Sequence, residues 1–166
     1  MPKTPSGCMP FLSLFAPSES AVSESESQPG FDSNEFPYFK KSTLITAAEN
    51  ELFQVLRKLT AGSKIHVLAM VRLADIIDVK KGTEKSRSYF NRISSKHIDF
   101  VLCDARDTRP ILCIELDDST HTRKNRQERD AFVDAALKAS NVPLLRIKVQ
   151  SKYEPAEIKD MIKKHL

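Results

Sequence analysis

The chain has 166 residues, 40% of them hydrophobic, with a formal net charge of +4 at pH 7 and a sequence pI near 9.0. That length allows one domain of ordinary size plus a tail, and the mild basicity permits contact with a phosphate backbone without establishing it. Three cysteines with no Cys-x-x-Cys pair and no Cys/His cluster exclude a disulfide framework and argue against zinc. They fit free thiols in a reducing, cytoplasmic compartment.

Residues 1–37 read as a disordered tail rich in proline, serine and glutamate, leaving 38–166 as the folded domain. The apolar stretch Met9–Ala16 is far shorter than the roughly 20 residues a membrane-spanning helix needs, so no membrane span is expected. A helix is expected from near Thr46 to Gly62, because Ile45, Leu52, Leu56 and Leu59 recur at helical spacing. Glu49 lies within that apolar stripe. Thr46-x-x-Glu49 matches a capping box, which gives the glutamate a structural reason to be there.

Ile65–Leu73 reads as a first strand, with Asp75–Asp78 as a short continuation or edge. Lys80–Ser88 is polar and basic, hence loop, and Ser86–Ile93 fits a short helix with Tyr89, Phe90 and Ile93 inward. His97–Asp104 is the second strand, its alternation placing Asp99, Val101 and Cys103 on one face and Phe100 and Leu102 on the other. A tight turn at Asp107–Pro110 joins it to a third strand, Ile111–Asp117, as a hairpin. A helix over Arg123–Ala139 follows, with an inner stripe of Phe132, Ala135, Ala136 and Ala139 and a pairing of Arg126 with Asp130. Leu144–Val149 is the fourth strand, parallel to the third through the crossover helix. A last helix starts with Pro155 in its first position and turns Ile158, Met161, Ile162 and His165 to one side.

The chemistry concentrates in Pro110–His121, PILCIELDDSTH. An apolar strand runs directly into Glu115, Asp117 and Asp118, and alternation puts Glu115 and Asp117 on the same face. Two carboxylates at the edge of an apolar core stay ionised only with a cation between them or water around them. Oxygen ligands suit magnesium or manganese. The structural alternative is a strand emerging into an acidic, solvated turn.

The combination of Asp99 in KHIDFVLCD, Glu115 in CIELDD, His121 behind it and LLRI after the long helix resembles the PD-(D/E)XK, or restriction-endonuclease-like, nuclease superfamily. Within it the chain looks most like a bacterial family, domain of unknown function 2726, from about Phe39 to Tyr153. The resemblance implies an α/β fold with a restriction-endonuclease-like core, a mixed sheet of about four strands flanked by helices in αβββαβ order. It implies that Asp99 and Glu115 hold Mg2+ (or Mn2+) with the Leu116 carbonyl, that Glu49 supports the site, and that the substrate is nucleic acid, DNA first, with a homodimer as the form that would cut two strands. The superfamily usually carries lysine where this chain has Asp117. Substitute cations are Lys96, His121, Lys124, Arg126 and Arg129, with His121 as an acid or base. Lys96, Arg123, Lys124, Arg126 and Arg129 are the expected phosphate contacts, and Arg146 could reach the acids or form a structural ion pair with Asp117 or Asp130.

Three functions follow. The first is a metal-dependent nuclease. The second is a catalytically inactive nuclease fold that binds nucleic acid or a partner. The third, ranked last, is an acid–base enzyme using Glu115, Asp117 and His121 on a metabolite, for which four glycines and no phosphate loop give little support.

Overall fold

A computed structural model describes residues 37–117 and 124–166, with the side chains of 124–126 left out. The expected disordered tail and the residues Asp118, His121 and Arg123 therefore lie outside the described residues, as do the side chains of Lys124 and Arg126. The chain divides after Lys40, and the fold belongs to Lys41–Leu166.

The order is α1 (Ala47–Thr60), β1 (Ile65–Arg72), α2 (Leu73–Ile76), α3 (Ser86–Ser94), β2 (His97–Asp104), β3 (Pro110–Asp117), α4 (Lys124–Ala139), β4 (Leu144–Lys148) and α5 (Pro155–Lys163). The four strands form one mixed sheet in the order β1-β2-β3-β4. β1, β2 and β3 run antiparallel in sequence, and β4 joins β3 in parallel, as the intervening helix requires. The mixed α/β character, the hairpin and the parallel pair all match the sequence expectation.

Each face of the sheet carries its own apolar cluster. On one face Leu52 and Leu56 of α1 and Ile158 and Ile162 of α5 pack on Phe100, Leu102, Leu112, Ile114, Leu145 and Ile147. On the other, Val133 and Leu137 of α4 meet Val101, Cys103 and Cys113, with Leu73 and Ile93 from α2 and α3. The fold is thus a sheet between two helical layers, the arrangement that lets both apolar faces of a central strand leave water.

Four local expectations are corrected. Asp75–Asp78 does not extend β1: Leu73–Ile76 turns into a short helix, which brings Leu73 and Ile76 into the second cluster and lets Arg72 reach Asp75 at 2.7 Å. Tyr89 and Phe90 are not inward but 48% and 41% exposed, because α3 meets the core through Ile93 alone. The buried stripe of α4 is Val133 and Leu137, with Phe132 half-buried, while Ala135 and Ala139 are exposed. Branched side chains bury more apolar area than alanine, so they take the inner line. His165 lies beyond the end of α5 and is exposed, its Nδ1 2.9 Å from the Met161 carbonyl.

Cys103 and Cys113 are free and buried. Burial, with Glu115 and Cys103 nearby, pushes the Cys113 thiol up to about 12, so it stays protonated and inert.

The β2–β3 turn is organised by Asp104. Its Oδ1 accepts from the Arg106 amide at 2.9 Å and Nε at 3.0 Å, and its Oδ2 from Nη2 at 2.7 Å. These donors hold the carboxyl well below the usual carboxylate range. A depressed carboxylate stabilises the fold above its unfolded pKa, near 4, and the contribution fades as pH falls toward the folded value. Asp104→Asn is therefore expected to lower the melting temperature at pH 7, with the gap to the parent closing as the medium is acidified below about pH 4. Melting curves recorded from pH 7 down to pH 2 check this.

Candidate functional site

β1 and β2 turn over together. Ala69 and Phe100 are partners and pack on the α1/α5 side, yet the next partners, Val71 and Ile98, pack on the α2/α4 side. Simple alternation would keep Val71 on the face of Ala69. The reversal occurs at Met70, whose φ of 55° is left-handed, opposite Asp99. A non-glycine residue there is strained and persists where its surroundings hold it. Both residues line a cleft of about 670 Å³.

The β2–β3 ladder pairs Phe100 with Ile114 and records no partner nearer the cleft. One turn of the pleat further, the Asp99 carboxylate replaces the missing backbone acceptor: its Oδ2 accepts from the Leu116 amide at 2.7 Å. The strands part here, and the cleft opens in the gap. Glu115 and Asp117 line the same cleft, as does Leu116. The three acids expected to converge therefore share one cavity.

Glu115 is only 4% exposed. Its Oε2 takes a 2.7 Å ion pair from Arg146 Nη1, and Arg146 Nη2 holds Asp134 at 2.9 Å. Parallel register explains the pair, since Glu115 and Arg146 are direct partners across β3 and β4. Arg146 does reach the acids, but its partners are Glu115 and Asp134 rather than Asp117 or Asp130. The other oxygen, Oε1, is buried and has no hydrogen-bond partner among the described residues. Burial raises the Glu115 carboxyl above its ordinary range; Arg146 opposes that and Asp99 adds to it.

The cationic wall of the cleft comes from α3 and α4. Arg92 lies with its guanidinium carbon 4.1 Å from the Phe132 ring centroid, Lys96 Nζ lies 4.8 Å from the same centroid, and Arg129 lines the cavity. Lys96 also donates to the Arg92 carbonyl at 2.8 Å. Its ammonium is pushed below the usual lysine range by burial first and then by Arg92 and Arg129. Lys96 and Arg129 were expected at the site. Arg92 was missed, although its four-residue spacing from Lys96 was a readable signal.

Glu49 enters the cleft from the start of α1. Its Oε2 accepts from the Thr46 amide at 2.6 Å, and its own amide donates to Thr46 Oγ1 at 3.3 Å, which is the expected capping box. The cap fixes the carboxylate at the cleft mouth, so the structural role and a place in the site coincide. Thr46→Ala should cost about 1 kcal/mol of stability, read by urea denaturation.

Among the described residues, no three His, Cys, Asp or Glu side chains stand close enough to cage a metal ion by themselves. Magnesium does not require that. It commonly takes one or two carboxylates and completes its shell with waters and substrate phosphate. The buried Glu115 Oε1, without a partner among the described residues and in the same cleft as Asp99, suits such a partial ligand set.

These features define a mixed α/β domain with a carboxylate cleft where β2 and β3 separate. A family profile described as protein of unknown function (DUF2726) matches residues 41–166, and the chain belongs to that family. No curated protein and no solved structure matches it. Among the described residues, no helix is long and apolar enough to cross a membrane.

Proposed function

We propose that the domain is a restriction-endonuclease-like phosphodiesterase that cleaves DNA with Mg2+ or Mn2+. The observation that carries this reading is the buried Glu115 carboxylate, with one oxygen lacking a donor among the described residues, opening on the cleft it shares with Asp99 and Asp117. An acid that deep in the fold is expensive to keep, and a divalent ion would give its second oxygen a partner.

Asp99 and Glu115 would hold the ion, with the Leu116 carbonyl as a further oxygen. When bound, it would lower the pKa of a water and offset charge on the phosphate. The chain's own groups do the rest. Asp99, tied to the Leu116 amide, keeps the two strands at fixed spacing. Arg146 orients Glu115 and balances its charge. Asp117, at the position where the PD-(D/E)XK motif usually has lysine, would accept the attacking water's proton. Lys96, Arg92 and Arg129 supply the positive charge that a phosphate needs on the opposite wall. The role of His121 as acid or base remains part of the proposal, at a position outside the described residues.

The test is cleavage of linear, nicked and single-stranded DNA with Mg2+ or Mn2+. Asp99→Ala and Glu115→Ala should each lower cleavage by more than about 100-fold, beyond the loss usual for a merely supporting contact to a metal. Chelation by EDTA should stop it. Absence of metal-dependent cutting, or cutting that survives Glu115→Ala, overturns the reading.

One observation favours a second reading, an inactive nuclease-like fold that binds nucleic acid or a partner. The Glu115–Arg146 pair already satisfies one carboxylate oxygen without metal, and no lysine stands at 117. Nucleic-acid binding unchanged by EDTA, with no cutting under any metal, would select it.

A further inference from the structure

The segment Lys80–Lys96 carries six lysines and arginines against one acid, Glu84. Its net +5 exceeds the +4 of the whole chain, so everything else together is net −1. The protein's basic character is therefore a property of one loop and one helix. Among the described residues, no ion pair involves Lys80, Lys81, Lys85, Arg87 or Arg92. Like charges gathered without counter-charges repel one another, and an external polyanion relieves that repulsion.

The geometry gives this charge a direction. On one side of α3, Lys80, Lys81 and Arg87 border a groove of about 770 Å³ in which Phe90 presents its 41% exposed ring. At its C-terminal end, Arg92 and Lys96 enter the carboxylate cleft. The nine-residue helix joins the two. It spans about 14 Å, roughly four phosphate spacings along one strand of DNA.

We propose that α3 and the loop before it are the nucleic-acid docking element, holding a single strand along the helix so that its backbone passes from the Lys80–Lys81–Arg87 groove into the cleft at Arg92 and Lys96, with an unpaired base on Phe90. Cations flanking an accessible aromatic are the pattern of sequence-tolerant single-strand binding. Anionic lipid offers the same charge, but Phe90 lies within a groove instead of on a projecting tip, which suits a base and not insertion into acyl chains. Arg129 of α4 becomes a secondary contact. What the strand undergoes in the cleft rests on the phosphodiesterase reading; the docking does not.

The experiment is fluorescence anisotropy of the full chain with a labelled single-stranded 20-mer and its duplex, in EDTA, across a salt series. Lys80→Gln/Lys81→Gln/Lys85→Gln/Arg87→Gln should weaken single-strand binding at least tenfold at low salt. It should also reduce the log–log salt slope by about 3, at roughly 0.7 per lost phosphate contact. Phe90→Ala should weaken the single strand more than the duplex. Lys163→Gln/Lys164→Gln on the far helix should change neither. The double variant Lys80→Gln/Lys81→Gln gives an intermediate loss if the quadruple variant folds poorly. Parental binding in both α3-loop variants overturns the proposal, as does loss confined to an Arg123/Lys124/Arg126/Arg129 variant. Failure of the parent to bind any strand while it binds phosphatidylserine vesicles also overturns it. Docking that behaves as expected in a protein that cuts nothing removes the phosphodiesterase reading alone.

Discussion

Phe100→Ala is expected to lower the unfolding free energy by about 3–5 kcal/mol, the range for deleting a fully buried ring from a packed core. Phe100 is 0% exposed, sits at the centre of the α1/α5 cluster, and stacks on Phe53 with centroids 5.8 Å apart and planes at 13°. It also pairs with Ala69 on one side and Ile114 on the other, so it is held by both neighbouring strands. Small domains are stable by only about 5–15 kcal/mol, so this one change removes a large share. Equilibrium urea unfolding checks it: the midpoint should fall with little change in slope. A loss under 1 kcal/mol would mean that the cluster collapses around the gap.

Glu115→Gln is expected to do two opposite things. Cleavage should fall by more than about 100-fold, because an amide is a poor ligand for a hard cation and brings no charge. Stability in EDTA at neutral pH should rise, on the order of 1 kcal/mol, as found when a conflict kept for activity is relieved. The parent holds an anion that is almost fully out of water, with Asp99 close enough to raise its pKa and one oxygen without a donor among the described residues. Glutamine keeps the shape, can still accept from Arg146 through its carbonyl, and removes the desolvated charge. Arg146 is not abandoned, since Asp134 remains at 2.9 Å. Metal-dependent cleavage and urea unfolding measured on the same preparation separate the two effects. A variant that is both inactive and strongly destabilised would make Glu115 a structural ion-pair partner only.

The hairpin, the parallel pair and the helix–strand alternation were legible because long apolar runs and capping residues act locally. Thr46 and Glu49 announce the start of α1, and Pro155 the start of α5. The shared face of Glu115 and Asp117 was legible from alternation along β3, and both line one cleft. What failed were matters of degree in packing. Tyr89 and Phe90 are apolar enough to be drawn inward, yet α3 is too short and too peripheral to bury more than Ile93. Val133 and Leu137 displaced the alanines of α4 through size, which periodicity alone does not weigh. The cation facing Glu115 was not singled out: His121 ranked first among the substitute cations, and Arg146 stood between reaching the acids and pairing with Asp117 or Asp130, because the partnership depends on the parallel register of β3 and β4. Nothing in the spelling of β1 marks Met70 as left-handed.

That reversal at Met70 gives one strand two allegiances. The first part of β1, Ile65 to Ala69, answers to α1 and α5; the last part, from Val71, answers to α2 and α4. Loosening at the far end of β1 would thus strip contacts from only one helical layer and leave the other closed. The cleft end of β1 would then shift as a small independent province, while the packing against α1 and α5 stays shut.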